Sequence, residues 1–173
     1  MRRILKHLLS IVLAIIIVML IQMFILTGAV VEKNNMNPTL HKGDHILVNK
    51  LKATLNGLDE GDIILYREGN HQSCGRIVGT PGESIEFKKG KLYRNNRLSN
   101  ESYSTINKIN HLELRHLKHS EGDIVPPRTY VVLNDNRKDN SDSRQYGFIQ
   151  QDHVIGSVSL RYYPLKLLTW QFK

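Results

Sequence analysis

The sequence predicts an all-β domain, a curled antiparallel sheet or barrel, carried behind one transmembrane helix. Three observations predict it. An uncharged apolar run fills residues 8–31. Short stretches that alternate apolar with polar residues follow it. Turn-forming pairs such as Gly43-Asp44, Gly61-Asp62 and Pro81-Gly82 separate those stretches.

The apolar run reads LLSIVLAIIIVMLIQMFILTGAVV, and Arg2, Arg3 and Lys6 precede it. At about 1.5 Å per residue it is long enough to cross a bilayer core of about 30 Å. A cleavable secretory signal has an apolar core of only about 7–15 residues. No clear Ala-x-Ala site follows this one, so an uncleaved anchor is expected. Basic residues hold their end in the cytoplasm. The expected organisation is therefore a cytoplasmic segment 1–7, a membrane anchor 8–31 and an extracytoplasmic β domain 32–173. That is a single-pass type II protein of the cell membrane.

Within the outer part, His45–Asn49, Asp62–Tyr66, Ser84–Phe87, Lys91–Arg94, Thr129–Leu133 and His153–Arg161 read as strands. Lys89-Gly90 reads as a tight hairpin between two of them. Residues 95–125 are polar and weakly patterned, and read as an exposed insertion. The apolar segment 165–172 (LKLLTWQF) is too short to span a membrane. Core packing is expected for it, ahead of contact with the lipid interface.

The chain has 173 residues and a net charge of +8, a length that suits one domain plus an appendage. The basic residues are scattered and no nucleic-acid-binding motif appears, so nucleic acid is not an expected partner. Cys74 is the only cysteine, which excludes an internal disulfide and any site of several thiolates. His116 and His119 have a spacing that would share a helix face, with His111 nearby. No complete ligand set is evident, so neither a metal nor a cofactor is expected.

Four short blocks, in order, carry a resemblance. The first is Asn35-Met36-Asn37-Pro38-Thr39-Leu40 and the second is Gly61-Asp62-Ile63-Ile64. The third is Gly75-Arg76-Ile77-Val78-Gly79-Thr80-Pro81-Gly82-Glu83. The fourth is Asn134-Asp135-Asn136-Arg137, followed by Asp142-Ser143-Arg144 and Gly147. Together they resemble the type I signal peptidases (peptidase S26), membrane serine-type endopeptidases that remove signal peptides. The resemblance runs from the anchor to about Tyr163.

The departures fall on the chemistry. By this resemblance Asn35 stands at the nucleophilic Ser and Gly75 at the general-base Lys. Asn140 stands at the Ser that contacts that Lys, and Asn134 at a Gly. Acyl transfer needs a hydroxyl that can lose its proton and a base within reach of it. A carboxamide and a bare Cα supply neither. An inactive homologue is expected, against the alternative of an active serine-type endopeptidase with displaced catalytic groups. Cys74 is the obvious substitute nucleophile, but strand alternation turns it away from the Gly75 face. Ser73 shares that face and has no evident base.

The resemblance also implies that Arg76, Asp142 and Arg144 form a structural ion-pair network. Asp135 and Asn136 read as residues that fix a turn. A signal peptide would bind as an added strand, and Met36, Pro38 and Ile77 would line its groove or else belong to the core. The expected partners are the lipid bilayer, signal peptides of secretory preproteins and an active signal peptidase. If only the catalytic pair has been lost, Asn35→Ser with Gly75→Lys should restore cleavage.

Overall fold

Residues 2–24 contain neither Gly nor Pro, and they form one continuous helix, α1 (Arg2–Phe24). The structure, a computed structural model, describes residues 2–172. Met1 and Lys173, the outer ends of the expected segments 1–7 and 32–173, lie outside the described residues. Across α1 the stretch Lys6–Phe24 is long and apolar enough to cross a membrane, and none of it is buried against the rest of the chain.

The expected anchor 8–31 is too long at its C-terminal end. Its last residues form β1 (Leu26–Val30), which pairs antiparallel with β2 (His45–Asn49). An apolar strand and the end of a membrane helix have the same composition, so composition alone merged them. The junction is held by α2 (Lys50–Thr54). The Lys50 backbone N–H donates to Ile25 O at 2.8 Å, and its ammonium donates to Met23 O at 3.0 Å. A cation on the orphan carbonyls of a helix end is favourable for both hydrogen bonding and the helix dipole.

β3 (Ile63–Glu68) and β4 (His71–Gly79) form the next hairpin. β5 (Ile85–Lys88) and β6 (Lys91–Arg94) follow, joined by Lys89 and Gly90 at φ of 51° and 76°. Two consecutive left-handed residues give the hairpin turn that matches strand twist, and Gly meets that demand without strain. Then come β7 (Arg97–Ser99), β8 (His111–Glu113), β9 (Thr129–Leu133), α3 (Ser143–Tyr146), β10 (Ile149–Gln150) and β11 (Val154–Tyr163). Each expected strand is present: His45–Asn49, Lys91–Arg94 and Thr129–Leu133 keep their expected bounds, and the other three move by one or two residues.

The strands make two sheets, one in the order β1-β2-β11-β3-β4-β9-β10 and one in the order β7-β6-β5-β8. Every pairing within them is antiparallel. β11 carries register shifts against both neighbours, and such bulges bend and twist a strand. The sheet therefore curls, but β1 and β10 remain its edges and no barrel closes among the described residues.

The central strands are covered on both faces. Val78, Val131 and Leu133 pack with the second sheet, while Ile77 and Val132 pack with Ile64 and Tyr66 on the opposite side. Alternation along β4 and β9 produces this division. The segment 95–125 is not simply an exposed insertion. It supplies β8 and the buried Ile109, Leu112, Leu114, Leu117 and Val125 to the core beneath the second sheet. Its widely spaced apolar residues do the burying, and the polar residues between them masked the pattern. The C-terminal apolar segment also departs from expectation. Leu165 and Trp170 are 77% and 69% exposed, and only Phe172 packs against a core cluster.

A packed amide pair where the resemblance places a catalytic dyad

Asn35 lies in the loop between β1 and β2. Its neighbours Met36 and Leu40 are both fully buried, and a single turn joins them through Leu40 N to Met36 O at 3.0 Å. The anchored turn points the Asn35 side chain into the protein, where it is 2% exposed. Its amide nitrogen donates to Cys74 O at 2.9 Å and to Asn134 Oδ1 at 2.8 Å. The Asn134 amide nitrogen in turn donates to Asp139 O at 3.1 Å. The Asn35 carbonyl accepts from Asn136 N at 2.9 Å, which stitches this loop to the one after β9. Both amide protons of Asn35 are thus committed, and so is the Asn134 oxygen.

Gly75 lies on β4 directly beyond the carbonyl that Asn35 holds. A Cβ placed there would meet Val132 Cγ1 at 2.4 Å and Tyr66 Cε1 at 3.3 Å. Real contacts are never as close as the first of these, so the space for a side chain at 75 has been filled from β9 and β3. The Tyr66 ring is fully buried in this cluster. Burial pushes its phenol pKa up, with Glu68 and Asp142 adding to the shift. Tyr66 is therefore a neutral filler and supplies no base. Asn140 stays outside, exposed on the loop before α3.

The charged residues form two clusters. Arg76 and Asp135 are 1% and 0% exposed. Arg76 Nε and Nη2 donate to the two Asp135 carboxylate oxygens at 2.8 and 2.6 Å. Arg76 Nη1 donates to Gly61 O at 2.7 Å and to Phe172 O at 2.8 Å, and the guanidinium stacks on the Tyr103 ring at 4.2 Å. In the other cluster Arg144 grips Asp142 at 2.8 and 2.6 Å, and Asp142 caps α3 through Arg144 N. Asp142 Oδ2 also accepts from Asn134 N at 2.9 Å. The expected single network of Arg76, Asp142 and Arg144 is thus two pairs, and Asp135, expected to fix a turn, is the partner of Arg76. The sequence lacked any sign that residues 59 apart would meet. Asn136 does bind its own turn, through Oδ1 and Lys138 N at 3.3 Å.

The family model described as "Signal peptidase, peptidase S26" matches residues 4–163. This chain belongs to the peptidase S26 signal peptidase family. It is 48% identical to a protein named inactive signal peptidase IA from Staphylococcus aureus strain Mu50, over 100% of this chain and 99% of that relative. It is 29% identical to signal peptidase IB of S. aureus strain MRSA252, over 99% of this chain and 95% of the relative. The crystal structure of a signal peptidase I from Enterococcus faecalis V583 superposes with a TM-score of 0.52 at 30% identity, covering 58% of this chain and 95% of that one.

In this S26 member the expected groove residues do not form a groove. Met36 and Ile77 are both fully buried, in separate clusters, while Pro38 is exposed. The crevice beside Asn35 runs between Val30–Lys33 and Gln72–Cys74 and encloses about 10 Å³. That is close to the lower limit for a single water.

The displaced-nucleophile alternative has little to work with. Cys74 lies on the face opposite Gly75, packed with Met36, Leu65 and Val158. Burial, with Glu32 second, pushes its thiol up to about 12. Almost none is thiolate near neutral pH, and the thiolate is the nucleophile. Cys74 is expected to resist a thiol-reactive disulfide in the native protein and to react promptly in denaturant. Equal rates in the two conditions would show that the burial is wrong. Ser73 Oγ has only a long contact with Glu68 at 3.4 Å. Thr39 Oγ1 donates to Asp135 at 2.5 Å, but that carboxylate is already neutralised by Arg76.

His111, His116 and His119 belong to β8 of the second sheet and the turn after it. His116 closes a short 3₁₀ turn (Leu114–His116) and His119 has φ of 59°, so the helix face expected to join them does not exist.

Proposed function

We propose that this chain is a non-catalytic signal peptidase homologue, held at the cell membrane by α1 and acting by binding. One observation carries this reading. The nucleophile position is a carboxamide whose protons are both used internally, and the base position is a glycine whose side-chain space is occupied. The 48% identity to relatives named inactive supports it.

The bilayer is the first partner. Arg2, Arg3 and Lys6 favour a cytoplasmic N-terminus and an outer β domain, the type II arrangement. The exposed Tyr163, Leu165, Leu168 and Trp170 form an apolar surface suited to a lipid interface, where Trp and Tyr are enriched. The second partner is a signal peptide added along Gln72–Cys74, the part of β4 beyond its pairing with β9. An active signal peptidase is a further candidate partner. A specific observation favours a second reading, in which the groove is closed. Asn35 already caps the Cys74 carbonyl, and the crevice is about 10 Å³.

The detergent-solubilised chain is expected to cleave no signal-peptide substrate and to take up no serine-directed covalent label. Turnover, or a labelled serine, would overturn the non-catalytic reading. Saturable binding of an Ala-x-Ala signal peptide would select the open groove, and its absence the closed one.

A further inference from the structure

We propose that His111, Glu113 and His116 form a surface site for a divalent transition-metal ion of the zinc class. Spacing alone points to His116 with His119 and not to this set. The fold joins them. His111 and Glu113 are two apart on β8 and project from the same face, while Leu112 between them is buried. The 3₁₀ turn that follows brings His116 back over the strand, and the buried Leu114 and Leu117 pin that turn at both ends. The backbone beneath all three residues is therefore fixed by the core.

One ligand atom from each residue lies within 4.8 Å of the others. His111 Nε2 and Glu113 Oε1 are 3.4 Å apart, and the two imidazole rings lie 6.3 Å apart. Zinc holds nitrogen and oxygen ligands at about 2.0–2.2 Å, which places neighbouring ligand atoms of a tetrahedron roughly 3.4 Å from each other. Small rotations of exposed imidazoles close the remaining gap. Two imidazoles and one carboxylate suit a borderline metal such as zinc, nickel or copper better than calcium or magnesium. The fourth position opens to solvent.

The nearby cations are engaged elsewhere. Arg115 Nε lies 3.4 Å from Glu113 Oε2, but its Nε and Nη2 both donate to the Asp123 carboxylate, at 2.8 and 2.5 Å. Lys88, opposite His111 on β5, is paired with Glu86 at 2.6 Å. Glu113 Oε1 is left to face the histidines.

Equilibrium dialysis of the full chain against Zn²⁺ tests the site. Wild type is expected to retain about one more ion per chain than the His111→Ala, His116→Ala variant. Glu113→Gln should weaken binding by more than the roughly tenfold that loss of an outer-shell partner brings. His119→Ala should bind as wild type does. All three histidines are exposed, so these variants should fold, and circular dichroism checks that they do. Equal zinc uptake by wild type and the double variant would overturn the proposal. So would an equal loss in His119→Ala.

Discussion

The Asn35→Ser, Gly75→Lys double variant is expected to cleave no signal peptide, and to be less stable than wild type, with about 1–3 kcal/mol of the loss coming from overpacking the core at position 75. Restoring the residue types does not restore the site, because the surroundings have closed over it. Any Cβ at 75 meets Val132 Cγ1 at 2.4 Å, and Tyr66 stands behind at 3.3 Å. Val132 is fully buried and cannot swing into solvent. A lysine must either displace it or leave β4. On the other side, a Ser at 35 loses both amide donors and strands the Asn134 oxygen, which costs about 1–3 kcal/mol more if it stays buried and unpaired. Denaturant unfolding of Gly75→Ala alone isolates the steric part. Adding Val132→Ala and Asn134→Gly to the double variant should recover much of the lost stability. A double variant that cleaves substrate and unfolds at the wild-type midpoint would show that the site was never refilled.

The loss of the dyad was legible in the sequence because it is a matter of residue type. Asn35 cannot be a nucleophile wherever the fold places it. The refilling was not legible, because Tyr66 and Val132 read as ordinary strand residues and only pairing brings them onto Gly75. The strands were visible for a similar reason: alternation over His45–Asn49 or Thr129–Leu133 is a local signal. The end of α1 was not visible, since Leu26–Val30 continues the uncharged run of the helix before it and becomes a strand only by pairing with β2. The metal-ligand set shows the same limit. His116 with His119 was the pair that spacing suggested, and the turn after β8 brings His116 to His111 instead. The exposed C-terminal residues failed on burial. An apolar run states only that it avoids water, and a bilayer satisfies that as well as a core.

Asp135→Asn is expected to destabilise the domain by about 3–5 kcal/mol, the largest effect of any single substitution considered, because it leaves a guanidinium buried without its counter-charge. Arg76 is 1% exposed, so water does not reach it to compensate. The pair also cannot be exchanged cheaply for an apolar one. In some proteins a buried ion pair gives way to hydrophobic residues of similar volume at no cost. Here Arg76→Met with Asp135→Leu would orphan Gly61 O, Phe172 O and the Thr39 hydroxyl, all of which the pair holds. The double variant should therefore remain destabilised, though by less than the two single changes summed. A double-mutant cycle by denaturant unfolding measures that coupling. A double variant as stable as wild type would mean that the three orphaned groups find other partners. The Arg76–Asp135 pair joins β4, the loop after β9, the turn that follows Asn35 and the C-terminal tail. These are the segments whose positions define the refilled site. A fold that has given up its nucleophile and base still needs this pair, because the pair holds the scaffold rather than the reaction.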